Sequence, residues 1–285
     1  MSFIKLDNYS FHYHHYNGDG PDLVLLHGLA SNLNIWNLVA PVLSQNFNVY
    51  TLDQRGHGLS SKPDIGYDFD SISNDLTSIC SKLNLHSPLI VGHSWGANVV
   101  IHTLADNKDN YFRGGVLVDG GVLNISKTNR SPWSEIETRL APPVLTHLTL
   151  NQLLQRVREN RKEDWNKAFE AVLTNSFEVV NGLIKPRLSR ENHMKILYEI
   201  WNENISLSLE SINSPVLILP VSSDNSESVS PNMHGVSKKD AVNMAMSKLS
   251  KSEVIWLKNS IHDVPIQNPK LIVDAILQSK DTLFT

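Results

Sequence analysis

The chain has one cysteine in 285 residues, so no intrachain disulfide can staple it. Its stability must come from a buried core, which a chain of this length can supply. That cysteine, Cys80, shares a helical face with Ile72, Leu76, Ile79 and Leu83, the place of a core residue. An excess of one charge is also missing: the net charge is −4. With no basic stripe interleaved with aromatics, nucleic acid is not an expected partner. No run approaches the roughly 18 apolar residues of a membrane span. The first residues, Met1 to Asp7, lack the apolar stretch of a secretion signal. No phosphate-cradling or dinucleotide fingerprint is present, so no cofactor is implied. Metal ligation has one candidate cluster, His12, His14 and His15. On a strand the first two share a face and the third opposes them. No nearby acid or cysteine completes a ligand set, so an exposed hairpin strand is the better reading and no metal is expected. These absences describe a soluble cytoplasmic protein, monomer or homodimer, whose partner is a small molecule.

What is present centres on Gly92-His93-Ser94-Trp95-Gly96. The pentapeptide fits G-x-S-x-G. It follows an apolar run, Pro88-Leu89-Ile90-Val91, and precedes Ala97-Asn98-Val99-Val100-Ile101, the start of a buried helix. A strand turning sharply into a helix with serine at the apex is a nucleophile elbow. The glycines permit the strained turn and the close helix–strand approach.

A serine hydroxyl needs a histidine to take its proton, a carboxylate to orient that histidine, and N–H donors for the developing oxyanion. His262 sits in a loop after a strand-like run, Glu253 to Leu257, and before a helix that begins near Pro269; it is the expected base. For the acid, Asp224 follows the apolar run Pro215 to Pro220 and is preferred. Asp119, which ends the run Gly115-Val116-Leu117-Val118, is the alternative. Asp263 adjoins the base and cannot fold back onto its own imidazole. The expected oxyanion donors are the amides of Trp95, next after the nucleophile, and Leu29, which follows His27-Gly28 at the end of an early strand. His27 is read as a loop-packing residue.

Taken together, His27-Gly28 with Trp36, the segment Asp53-Gln54-Arg55-Gly56-His57-Gly58-Leu59-Ser60, the elbow, and the Asp224 and His262 loops resemble the α/β-hydrolase fold superfamily. The resemblance covers about 22–121 and 214–280. It implies that Asp53 and Arg55 are structural and that relatives with the acid at the end of the preceding strand would use the Asp119 position.

The pattern predicts an α/β fold. An N-terminal hairpin over roughly 3–16 leads into strands near 22–27, 48–53, 88–93, 114–119, 215–220 and 253–257. Helices fall near 34–45, 70–84, 95–107, 238–249 and 269–279. Alternation of this kind gives a mostly parallel sheet flanked by helices. The core is read as 1–121 and 214–285. Residues 122–213 are read as an inserted helical cap with no good strand. Their helical signals are Leu150, Leu153, Leu154 and Val157; Trp165, Ala168, Phe169 and Val172; and Met194, Leu197, Tyr198 and Trp201. Trp133, Trp165 and Trp201 are candidates either for an acyl pocket or for packing.

The expected activity is a serine hydrolase of small to medium carboxylic esters or lactones. Two alternatives stand beside it: a C–C bond hydrolase of ring-cleavage products, and a non-enzymatic small-molecule receptor on the same fold.

Overall fold

The computed structural model describes residues 1–123, 132–161, 165–223 and 237–284. The strands are β1 (Ser2–Leu6), β2 (Tyr9–Tyr16), β3 (Asp22–Leu26), β4 (Asn48–Leu52), β5 (Leu89–His93), β6 (Gly114–Val118), β7 (Phe177–Val180), β8 (Leu183–Pro186), β9 (Val216–Leu219), β10 (Val221–Ser222), β11 (Ser252–Val254) and β12 (Leu257–Lys258). Eight of them form one sheet in the order β1-β2-β4-β3-β5-β6-β9-β11. The first two pairings, β1 with β2 and β2 with β4, are antiparallel. From β4 to β11 all neighbours are parallel.

The helices are α1 (Ala40–Leu43), α2 (Phe69–Lys82), α3 (Trp95–Ala105), α4 (Trp133–Leu140), α5 (Leu150–Asn160), α6 (Lys167–Asn175), α7 (Arg190–Asn202), α8 (Ile205–Glu210), α9 (Lys238–Lys248), α10 (Val264–Gln267) and α11 (Pro269–Lys280). They cover the sheet on both faces because the central strands are mostly apolar and buried along nearly their whole length, and side chains alternate between faces. Val24, Leu26, Ile90, Leu117 and Ile218 face α2, α3, α8 and α9, with Ile72, Leu76, Cys80 and Val242 opposite. Leu23, Leu25, Val91, Val116 and Leu217 face α1 and α11, with Trp36, Leu43, Ile272 and Ile276 opposite. Cys80 is fully buried, as its helical spacing predicts.

Four local expectations are corrected. The helix expected over 34–45 is a 3-10 turn, Leu33–Trp36, and the single turn α1, whose first residues include Pro41; proline lacks the amide a continuous helix needs there. The strand expected over 253–257 is two short pieces, β11 and β12, which pair with different partners. The insertion between β6 and β9 is not wholly helical. Asn181 (φ 52°) and Gly182 (φ 81°) form the left-handed turn of a two-residue hairpin that joins β7 to β8. Lastly, His12 is buried, and its Nδ1 donates to Asp53 Oδ2 at 2.7 Å. Only His14 and His15 of that cluster lie on the outside, stacked on Tyr16 and Tyr50.

The Asp53 segment ties loops together. Asp53 also accepts from the amides of Leu33 and Leu59, and Arg55 makes a two-pronged pair with Asp75. This is the structural work that the resemblance implies for both residues.

Candidate active site

The elbow follows directly from β5 and α3. Ser94 has φ 55° and ψ −122°, a region non-glycine residues enter only at a cost. Its amide is held by Val118 O at 3.0 Å, and its carbonyl accepts from Ala97. Neighbouring backbone crowds it closely. A Cβ on Gly92 would lie 2.1 Å from Gly96 O, and one on Gly120 would lie 2.2 Å from Ser94 O. Glycine is therefore required at both positions to hold the serine at the C-terminal edge of the sheet, where open α/β sheets place their sites.

Around Ser94 the fold assembles an ordered chain of hydrogen bonds. Ser94 Oγ donates to His262 Nε2 at 2.9 Å. His262 Nδ1 donates to Asp119 Oδ2 at 2.7 Å. Asp119 comes directly after β6 in a left-handed turn, φ 43°, which aims its carboxylate back at the histidine. The acid beside His262 is thus Asp119, the alternative of the sequence reading. The preferred acid, Asp224, lies outside the described residues. An imidazole has a single Nδ1 proton to give, and Asp119 accepts it.

Asp119 is itself well supported. Its other oxygen accepts from Lys238 Nζ at 2.8 Å and from the Val221 amide at 3.2 Å. Burial alone would raise its pKa, but the bond from His262 and the Lys238 ammonium hold the carboxyl down at about 2. Burial likewise opposes charge on His262, yet the Asp119 carboxylate outweighs it and raises the imidazole pKa above its usual value. Lys238 was not anticipated. It opens α9 just after its cap, Ser237, and no local pattern distinguishes it from a solvated lysine.

Beneath His262 lies His93, the residue before Ser94. Its Nε2 donates to the His262 carbonyl at 2.7 Å, which fixes the loop carrying His262. Burial, then the neighbouring His262, pushes its pKa down to about 4, so at neutral pH it is an uncharged prop.

Leu29 and Trp95 both border the same cavity as Ser94, Asp119 and His262. Trp95 is the first residue of α3, where amides have no intrahelical acceptor and the helix dipole favours negative charge. Gly28 lets the Leu29 loop approach: a Cβ there would sit 2.9 Å from Ser94 Cβ. His57 steadies this loop by accepting from the Ala30 amide at 3.2 Å while its ring stacks on Trp95. His27 is fully buried, donates to Gly28 O and accepts from the Gln54 amide, the packing role its position suggests.

The cavity measures about 920 Å³, and its walls are mainly apolar, with Leu117 and Ile218 from the core and Val122, Leu140 and Ile200 from the insertion. None of the three tryptophans of the insertion is on its described walls. Trp133 packs against Tyr198 and Trp201, and Trp165 against Phe169.

A family model for the alpha/beta hydrolase fold matches residues 21–241. Among curated proteins, the chain is 36% identical over 126 residues to N-formylmaleamate deformylase of Pseudomonas putida, covering 43% of this chain and 47% of that protein. It is 35% identical over 92 residues to 2-(acetamidomethylene)succinate hydrolase of Mesorhizobium japonicum, covering 32% of this chain and 33% of that protein. The matches therefore span half or less of these relatives. Solved structures align over nearly the whole length. A crystal structure of E-2-(acetamidomethylene)succinate hydrolase has a TM-score of 0.77 at 19% identity, covering 99% of this chain and 100% of that one. Bromoperoxidase from Bacillus anthracis has 0.73 at 20%, covering 97% and 98%. At such identities the structural likeness speaks for the fold, while the family model, matching well over half of the sequence, decides membership: this chain belongs to the alpha/beta hydrolase fold family.

Proposed function

We propose that the protein is a serine hydrolase of small to medium carboxylic esters or lactones, with Ser94 as nucleophile, His262 as base and Asp119 as acid. The observation that carries the reading is the continuous Ser94–His262–Asp119 hydrogen-bond chain, with both links under 3 Å. In this reading His262 takes the proton of Ser94 as its Oγ attacks the carbonyl carbon. The amides of Leu29 and Trp95 bind the oxyanion. His262 then gives the proton to the leaving alcohol, and water hydrolyses the acyl-enzyme by the same steps in reverse. Asp119, kept ionised, holds the Nδ1–H tautomer and stabilises the imidazolium. The insertion acts as a cap, with Leu140 and Ile200 closing an apolar acyl space over Ser94.

A second reading is cleavage of an acyl–nitrogen bond by the same residues. It is favoured by the similar proteins named for N-formyl and acetamido compounds. The experiment is burst kinetics with p-nitrophenyl acetate, butyrate and octanoate on wild type and Ser94→Ala. A burst in the wild type that vanishes in Ser94→Ala supports the acyl-enzyme route. If no ester turns over and an organophosphate leaves Ser94 unlabelled, the ester reading fails.

A further inference from the structure

A second cavity lies on the opposite flank of the loop that carries Leu29. Ala30, Ser31 and His57 line it from the core, and Phe177, Arg187 and His193 from the insertion. Its volume is about 160 Å³, close to that of a cavity known to take a benzene-sized guest. Two features distinguish it from a packing void. The first is charge. Arg187 and Arg190 both line it, and no described lining residue is acidic. A third cation, Lys62, is anchored to the carbonyls of Gly58 and Ser60 and feels the charge of Arg187. Asp53, whose charge reaches Lys62, is already engaged by His12, and Glu178, whose charge reaches both Lys62 and Arg187, is paired with Lys185 and lies outside the cavity walls.

The second feature is unmet hydrogen bonding. Ser31 Oγ and Arg187 Nε are buried and have no partner among the described residues. A buried cationic donor without an acceptor is costly unless a guest supplies one. The remaining walls, including Pro142, Leu145 and Leu188, are apolar. Burial, then the Arg190 cation, pushes the His193 pKa down to about 4.

We propose that this cavity binds a small organic carboxylate, whose head accepts from Arg187 and Ser31 and whose hydrocarbon part lies against Pro142, Leu145 and Phe177. A carboxylate fits because a guanidinium fork and a hydroxyl together match its two oxygens. The assignment does not depend on the ester chemistry proposed above. It nevertheless touches the loop of Leu29, since His57 links Ala30 to Trp95.

The test is calorimetric titration of the full chain with benzoate and with its uncharged analogue benzamide, on wild type and Arg187→Gln. Benzoate is expected to bind at least about tenfold more tightly than benzamide. Arg187→Gln should erase that preference while the melting temperature and circular dichroism hold. In parallel, saturating benzoate should raise the His193 pKa measured by NMR, because an anion in the cavity favours the imidazolium. Equal affinity for the two probes, no detectable benzoate heat, or a preference that survives Arg187→Gln overturns the proposal. Should Arg187→Gln fail to fold, the wild-type probe pair and the His193 titration decide it, and an unmoved His193 overturns it. Inhibition competitive with p-nitrophenyl butyrate assigns the carboxylate to the substrate; any other effect on turnover, or none, assigns it to a separate molecule.

Discussion

At the scale of single residues, Asp119 bears the heaviest demand, because one carboxylate is shared between His262 and Lys238. Asp119→Asn keeps the shape but loses the charge and the required tautomer. It is expected to lower kcat for p-nitrophenyl butyrate by about 10²- to 10⁴-fold, whereas Asp224→Asn should stay near wild type. The reverse ranking would return the acid to Asp224. The role of Lys238 can be read from pH dependence. The described charges that act on His262 are Asp119 and Asp263, which raise its pKa, and Lys238, which lowers it. Arg161 from the insertion pairs with Asp263. In the proposed reading His262 must be neutral to accept the serine proton, so activity should rise with pH through its pKa. Removing Lys238 takes away a charge that opposes protonation. Lys238→Met should therefore move the acid limb of kcat/KM to higher pH, by a few tenths to about one unit. An unmoved limb, or one moved to lower pH, would contradict this account.

At the scale of elements, the elbow and the insertion hairpin differ in how openly the sequence announces them. β5, the turn and α3 are contiguous; Gly92 is required by a backbone contact within the pentapeptide, and Gly96 by the close approach of the Leu26 and His27 carbonyls. The hairpin is signalled only by Asn181-Gly182, since β7 and β8 are partly exposed four-residue strands whose alternation is too brief to stand out. Its anchor is Ile184, 1% exposed and packed with Leu148 and Leu153 in a small separate cluster. Ile184→Ala should destabilise that cluster by about 2–4 kcal/mol. The check is hydrogen exchange, in which β7, β8 and α5 should lose protection while β3 and β5 keep theirs. Uniform loss across the sheet would mean that the insertion does not unfold on its own.

At the scale of the whole molecule, the insertion is tied to the core by buried polar pairs as well as by apolar packing, with Ile196, Ile205 and Leu209 on one face of the sheet and Phe169 and Val172 on the other. Glu203, after α7, accepts from Asn98 Nδ2 and His102 Nε2, both at 2.7 Å. Asn32 donates to Val172 O, and Asn192 to Pro63 O and Tyr67 Oη. Buried histidines give the molecule a pH signature. Burial lowers the pKa of His27 and takes that of His57 well below 6.5; His93 and His193 fall to about 4. Between pH 4 and 6.5 the unfolded chain therefore binds more protons than the native one at these four sites, and stability rises with pH across that window. His262, with its raised pKa, works in the opposite direction, but it is one group and its side chain is 55% exposed. The melting temperature should fall as pH drops from 6.5 toward 4, and a flat profile there would show that these rings are not held neutral.

Much of this was legible in the sequence because the signals are short-range. A strand is announced by a run of apolar residues, α2 by its period, the elbow by Gly92 to Gly96, α3 by the apolar run that follows it, and the His262 loop by its place between a strand and the last helix. The carboxylate partner of His262 was not legible. Asp119 and Asp224 both follow apolar strands, and nothing local tells which strand end carries the carboxylate that meets an imidazole 143 residues away. The burial of His12 and the partnership of Lys238 with Asp119 were hidden for the same reason. The sequence by itself determined the order of the main core strands and helices, the two-faced core and the position of Ser94, since periodicity and backbone sterics act over a few residues. Only the tertiary structure decided which acid faces His262, which lysine steadies it and where the cavities open. Those contacts depend on how distant strand ends and loops are packed against one another, and local pattern does not encode such distances.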